Sequence, residues 1–134
     1  MFRHHHHPDT LAERIDDLMV AVFLADDRER VARMAQHVTP DFVYINPTAV
    51  YEGVEGLSEA YEHFRHEAWR HTSLRRTTVV DVHHAHFRYA WRRSDGEATI
   101  TEGWSFGWMD AAGKVARIVA FDGLMPIGPG PFAS

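Results

Sequence analysis

Residues 84–122 read HAHFRYAWRRSDGEATITEGWSFGWMDAAGKVARIVAFD, and apolar and polar side chains alternate through most of that length. Two breaks interrupt the alternation, Ser94-Asp95-Gly96 and Asp110-Ala111-Ala112-Gly113. Both carry turn chemistry, since Asp bonds its own backbone two residues on and Gly accepts positive φ. Alternation of period two between such breaks predicts strands at 84–93, 97–109 and 114–122, preceded by another at 74–83. A curved, mostly antiparallel sheet is the expected outcome.

The turns also predict which side chains share a face, because directly opposed residues of a hairpin do so. A turn at Asp95-Gly96 sets Tyr89 opposite Glu102 and Phe87 opposite Trp104. A turn at Ala111-Ala112 sets Trp104 opposite Val119 and Trp108 opposite Val115. One face would then be aromatic, with Phe87, Tyr89, Trp91, Trp104, Phe106, Trp108 and Phe121. The other would carry His84, His86, Arg88, Ala90, Gly103, Ser105, Ile118, Ala120 and Asp122. Helices can cover one face of such a sheet, and periodicity alone leaves open which. If they cover the small and polar face, the aromatic face is an exposed patch of the kind that marks a partner surface. A homodimer packing sheet on sheet is the simplest occupant.

Working back toward the N-terminus, Thr10-Leu11-Ala12-Glu13 has the spacing of a capping box and opens a first helix. Its apolar face is Leu11, Ile15, Leu18, Met19, Val22 and Phe23. Asp26 with Glu29 opens a second helix that buries Val31, Met34, Ala35 and Val38, and Pro40 is expected to stop it. Phe42–Asn46 reads as a strand ended by Pro47, and Val50–Gly53 as a short extended piece. A third helix runs from Val54 to about His71, with Leu57, Ala60, Tyr61, Phe64 and Ala68 on one side. The segment 124–134, with its prolines and glycines, is irregular. Residues 10–123 therefore form a single domain.

Composition limits the function classes. The 134 residues suffice for one domain with its own core, and 45% hydrophobic with 25% charged residues is ordinary for a globular chain. No cysteine is present, which excludes disulfides and thiolate metal sites and suits a cytoplasmic setting. Nineteen acids against fourteen bases give a charge of −5 without a basic stripe, which argues against a nucleic-acid partner. No apolar run is long enough to span a bilayer. The run His4–His7 reads as a tag or a frayed arm within residues 1–9 and is set apart from the site. His83-His84-Ala85-His86 places two imidazoles on one face, but no third ligand is evident, so no metal is expected.

The order helix–helix–strand–helix–long antiparallel strands resembles the nuclear transport factor 2-like superfamily, an α+β cone of three helices on a strongly curved, mixed and mostly antiparallel sheet. The likeness is to its SnoaL-like and ketosteroid isomerase-like branches. It rests on Asp41-Phe42-Val43-Tyr44-Ile45-Asn46-Pro47, Tyr51-Glu52-Gly53-Val54-Glu55-Gly56-Leu57, Gly103-Trp104-Ser105-Phe106 and Gly113-Lys114-Val115, within residues 10–122. Such motifs speak for a fold more than for a reaction, because this fold hosts many chemistries. The resemblance implies that the Ser105, Ile118, Ala120 and Asp122 face lines the cone and that the opposite face makes a dimer.

What the family's enzymes require is only partly present. Ketosteroid isomerases carry an aspartate base at the position matching Asn46, an acidic donor matching Ser105 and a tyrosine near Met19. All three differ, and an amide cannot take a proton from a carbon acid, so that activity is not expected. Limonene epoxide hydrolases hold water with a Tyr-x-Asn pair, which Tyr44-Ile45-Asn46 reproduces on one strand face. Their Asp–Arg–Asp set finds Arg88 or His86 for the arginine, but Ala90 and Ala120 stand where acids belong. SnoaL-type cyclases use one aspartate base near the end of the fold, which points to Asp122. A histidine, aspartate and tyrosine set of the scytalone dehydratase kind would be His86, Asp122 and Tyr44.

The resulting expectation is a small-molecule pocket with Asp122 as base, Tyr44 and Asn46 orienting substrate or water, and Arg88 and His86 stabilising negative charge. Met19, Phe23, Tyr61, Phe64, Ser105, Ile118 and Ala120 would line it. The reaction would be a cofactor-free isomerisation, cyclisation, dehydration or hydrolysis of a cyclic, mostly apolar substrate. The alternatives are a non-catalytic binding module and a dimerisation domain. For Asp122 the alternative is a turn residue closing the last strand.

Overall fold

The architecture, taken from a computed structural model, is described for residues 10–64 and 71–123. The side chains of Ala60, His63 and Phe64 lie outside the described residues, as do Ala68, Trp69, the His4–His7 arm and the segment 124–134. Helix α1 spans Leu11–Ala21 and starts at Thr10, whose hydroxyl accepts from the Glu13 amide while the Glu13 carboxylate accepts from Thr10 N–H. Helix α2, Asp27–Ala35, is capped by Asp26, which accepts from Glu29 N–H at 2.8 Å. Each cap satisfies amides that the first helical turn leaves without intrahelical partners.

Strand β1 covers Val38–Asn46, β2 Ala49–Glu52, and helix α3 Gly53–Phe64. Pro40 therefore falls inside a strand rather than ending a helix. It lacks an N–H to offer, and it coincides with the register shift between Val38 and Val43, where a proline is tolerated. The remaining strands are β3 (Ser73–Arg76), β4 (Asp81–His83), β5 (His86–Asp95), β6 (Ala98–Met109) and β7 (Val115–Asp122). The strand expected at 74–83 is thus two pieces, both paired with β5. Between them Ala90 O accepts from Thr77 N–H, and Ala90 N–H donates to the Thr78 hydroxyl. The β4–β5 turn falls at His84 and Ala85, both at positive φ.

The sheet order is β2-β1-β7-β6-β5-β3, with β4 also on β5. All pairings are antiparallel except β1 with β7, which run parallel with Tyr44 beside Ile118. This α+β sheet wraps a core of Ile15, Leu18, Ala21, Met34, Val38, Phe42, Phe87, Tyr89, Trp91, Val115 and Ile118. Ionic ties hold the helices in place. Arg30, fully buried, joins α2 to α3 through the Ser58 hydroxyl at 2.8 Å, with Asp27 and Glu62 as carboxylate partners. Arg76 of β3 grips Asp16 of α1 with two bonds of 2.8 Å.

The β5–β6 register departs from the expected one and changes the meaning of the sheet. The turn sits at Gly96-Glu97, and a bulge between Arg93 and Ser94 adds a further residue, so Tyr89 faces Ser105 instead of Glu102. A displacement by an odd number of residues moves every side chain of a strand to the other face. Phe87, Tyr89 and Trp91 consequently point inward and are 4%, 4% and 7% exposed. The β6–β7 pairing differs by an even number, with Trp104 opposite Phe121, so its faces are as expected.

Glycine explains why this register is the stable one. Trp91 lies opposite Gly103 and Phe87 opposite Gly107, and each ring fills the space above its partner. A Cβ at either glycine would collide with that ring and with a β7 carbonyl oxygen, of Phe121 or Arg117. Large against small on paired strands is a packing complement that the aromatic-against-aromatic register lacks.

Candidate functional site

Beneath the sheet and between α1 and α3 lies a cavity of about 220 Å3. Its wall is apolar over most of its extent, with Ile15, Leu18, Met19, Val22, Phe23, Leu57, Tyr61, Leu74, Trp91 and Ile118. Polar groups gather at one end: Tyr44, Asn46 and Thr48 from the β1–β2 hairpin, Arg93 from β5 and Asp122 from β7. The topology puts them there. Parallel β1 and β7 end on the same side of the sheet, and antiparallel β5 also runs out toward that side past β6, where Gly103 pairs with both Trp91 and Asp122.

Asn46 has two tasks. Its Oδ1 accepts from Thr48 N–H at 3.0 Å, Ala49 N–H at 3.0 Å and the Thr48 hydroxyl at 2.9 Å, closing the turn over Pro47. With the oxygen engaged three times, the network assigns the amide orientation, and the Asn46 side chain also acts on the Tyr44 phenol in favour of its ionised form. Burial pushes the Tyr44 phenol up to about 12, with Asp122 nearby working in the same direction and Arg93 against it. The phenol is therefore a proton-bearing donor at neutral pH.

Arg93 is only 7% exposed, and its Nη1 donates to the Thr72 hydroxyl at 2.9 Å. Its guanidinium carbon stands 5.9 Å from the centre of the Phe23 ring, within cation–π range. Burial pulls the guanidinium down to about 10, and the neighbouring Tyr44 and Asp122 offset part of that. It stays a cation at neutral pH. Deeper in the cavity, Tyr89 stands opposite Ser105, and burial pushes its phenol up as well.

Of the residues expected at the site, Tyr44, Asn46, Asp122, Met19, Phe23, Tyr61, Ser105 and Ile118 are brought together in the wall. Ala120 is buried on the same face opposite Ser105 without reaching the wall, and the Phe64 side chain lies outside the described residues. Asp122 is at the mouth and solvent-exposed, not enclosed. Arg88 and His86 do not belong to the site. The odd register shift places them on the outer face, where Arg88 Nε donates to Asp81 at 2.9 Å and His86 lies against Trp108. The shift also brings in residues that the sequence reading missed, Arg93, Tyr89 and Trp91. The signal that could have found them is Gly103-x-Ser105-x-Gly107 read against Phe87-x-Tyr89-x-Trp91.

Two further features lie away from the cavity wall. His37 is buried and paired through Nε2 with Asp17, which also accepts from Arg33 at 2.6 Å. Burial holds the imidazole below its ordinary value, although the Asp17 bond acts in the opposite sense. The outer sheet face exposes Phe106, Trp108 and Phe121 at 40%, 39% and 54%. Phe87, Tyr89 and Trp91 are absent from that face, which corrects the aromatic surface expected from the alternation. Among the described residues there is no cluster of histidine, aspartate and glutamate suited to a metal, and no helix is long and apolar enough to cross a membrane.

A cone of helices on a curved sheet holds an apolar cavity with one polar end. The fold is the nuclear transport factor 2-like cone, in the form shared by SnoaL-like and ketosteroid isomerase-like structures. No protein-family model matches the chain, and no curated protein matches it. Solved structures do. A candidate isomerase of the SnoaL-like family from Agrobacterium tumefaciens superposes with a TM-score of 0.72 at 19% identity, over 81% of this chain and 93% of that one. A nuclear transport factor 2-like protein of unknown function from Cytophaga hutchinsonii gives 0.62 at 9% identity, over 87% and 92%. A candidate ketosteroid isomerase from Kribbella flavida gives 0.62 at 12%, over 89% and 82%. At such identities the likeness is one of fold.

Proposed function

We propose that this protein takes a small, mostly apolar, cyclic molecule into the cone and converts it by general acid–base chemistry without a cofactor. The observation that carries the reading is the meeting of Tyr44, Asn46, Arg93 and Asp122 at one end of an otherwise apolar cavity. Asp122 is the acceptor in that set and takes the proton, from a carbon acid or from a water held by Tyr44 and Asn46. Tyr44 and Arg93 face the oxygen on which negative charge develops. Isomerisation, cyclisation, dehydration and hydrolysis all fit this division of roles.

The test is turnover of a panel of cyclic ketones, epoxides and hydroxyketones by the wild type and by Asp122→Asn. Loss of a positioned general base lowers the rate by about 100-fold or more, with binding retained. Equal turnover by the variant would remove Asp122 from the chemistry. The second reading, a non-catalytic binder, is favoured by the exposure of Asp122, because a side chain open to water is not held in place against a substrate. Ligands that occupy the cavity unchanged across the whole panel would support it.

The exposed outer face, with Trp104 alongside Phe106, Trp108 and Phe121, is proposed as the contact with a second copy. Its rim carries both signs, Arg88 with Asp81 and Arg92 with Glu102, as a face that meets itself about a two-fold axis requires.

A further inference from the structure

We propose that His37 is an acid-operated latch on helix α1: at neutral pH its imidazole ties α1 to the α2–β1 junction, and uptake of a proton there releases the helix, and with it one wall of the cavity. The ring stands where α1, α2, β1 and β7 meet. It is 1% exposed, its own amide donates to Met34 O at 3.0 Å, and its carbonyl accepts from Val115 N–H at 2.9 Å. The backbone of the junction is thus fixed between α2 and β7. The side chain reaches across to α1, where Nε2 meets the Asp17 carboxylate.

These surroundings suit a neutral ring and not a charged one. An ionised Asp17 can only accept, so Nε2 carries the proton of the neutral imidazole, and a second proton would go to Nδ1. That atom is sealed from water and has no hydrogen-bond partner among the described residues. A lone pair without a donor costs less there than the N–H of a cation without an acceptor. The charged groups acting on the ring are Asp17 and Arg14 from α1 and Arg33 from α2, while β7 brings up the apolar Val115. Asp17 already accepts from Arg33 at 2.6 Å, so a charged ring would make three cations around one carboxylate. Burial alone would raise the Asp17 carboxyl, but its bonds to His37 and Arg33 hold it below its ordinary value, which leaves the imidazole as the group that takes up the proton. The sealed ring, held below 6.5 by burial, binds a proton less well than a free one. The closed arrangement is therefore fully held above pH 6.5 and weakens as pH falls below it.

Release is local because of how α1 is held. On the junction side it hangs on His37 and Arg33 through Asp17, and on the Gln36 carbonyl through Arg14 at 2.9 Å. On the other side Arg76 grips Asp16, a tie with no group that titrates near neutrality. The helix thus stays on β3 while its junction side lets go. Ile15, Leu18, Met19 and Val22 of the same segment line the cavity.

The experiment follows amide hydrogen exchange of α1 against that of β5 and β6 at pH 7.5 and 5.5, corrected for intrinsic exchange rates. A free imidazole with a pKa of about 6.5 limits the effect to about tenfold between those conditions. In the wild type the protection of α1 is expected to fall several-fold toward that limit, with β5 and β6 changed by less than about twofold. His37→Gln keeps an N–H for Asp17 and takes no proton, so it should remove the acid response of α1. Arg33→Gln frees Asp17 to pair with the imidazolium and should shrink the response, which keeps the latch testable if circular dichroism shows His37→Gln unfolded. Exchange reads the helix alone and needs no ligand, so the pocket reading stands or falls separately. Unchanged protection of α1 in the wild type, an acid response that persists in His37→Gln, or equal loss across α1, β5 and β6 would overturn the latch. So would an undiminished response in Arg33→Gln.

Discussion

Replacing Gly107 by alanine places a methyl group between two strands and tests the register on which the whole site depends. The new Cβ meets the Phe87 ring on one side and the Arg117 carbonyl oxygen on the other. The ring could tilt, but the carbonyl belongs to the backbone of β7 and is held by the β6–β7 ladder. Overpacking a filled core costs about 1–3 kcal/mol, and an obstacle made of backbone belongs at the upper end. Restricting the unfolded chain returns roughly 0.5–1 kcal/mol. The expected net loss is about 2 kcal/mol, or roughly 8 °C in Tm at about 4 °C per kcal/mol for a domain of this size. Gly113→Ala is the control. It has nothing within 4 Å, and its penalty comes only from φ of +84°. That strain costs about 1 kcal/mol. Paired urea and thermal unfolding curves give both values. If Gly107→Ala is no more destabilising than Gly113→Ala, Phe87 does not lie over Gly107 and the inward placement of Phe87, Tyr89 and Trp91 is wrong.

Other outcomes follow from the same geometry. Asn46→Ala removes the acceptor that closes the Pro47 turn and should cost about 1–3 kcal/mol in unfolding experiments, together with weaker ligand binding; Asn46→Asp, which keeps that oxygen, should recover the stability better than the binding. Because burial raises the Tyr44 phenol from 10.0 to about 12, the unfolded chain loses that proton first. Stability should therefore fall as pH rises from about 10 to about 12, and Tyr44→Phe should flatten part of that decline. His37 is shifted the other way, so the unfolded chain takes up its proton first and stability should fall as pH drops below about 6.5; NMR titration of the ring should show it still neutral where exposed histidines are protonated. Phe121→Asp places a charge in the proposed contact and should convert a dimer to monomer in sedimentation at micromolar concentration, whereas a monomeric wild type would remove the dimer proposal.

Local chemistry determined much of this protein. The caps at Thr10 and Asp26, the helical periods behind them, the turn at Asp110 and the strand carrying Tyr44 and Asn46 depend on neighbours within a few residues. All are found where the sequence puts them except the end of the second helix, where Ala35 is exposed and Val38 already belongs to β1. Which side chains of β6 and β7 share a face was legible for the same reason, since the tight turn between them displaces the pairing only by an even step. The face of β5 was not. It depends on a bulge beside Ser94 and a turn at Gly96-Glu97, and one residue more or less exchanges Arg88 and His86 for Arg93 and Tyr89. What selects that register is Trp91 over Gly103 and Phe87 over Gly107, contacts across strands that no single segment contains. The same holds for the site's polar end. Tyr44, Asn46, Arg93 and Asp122 come from three strands, and only the parallel pairing of β1 with β7 and the length of β5 bring their ends to one rim. The residue types were in the sequence, and long-range packing decided which of them face the cavity.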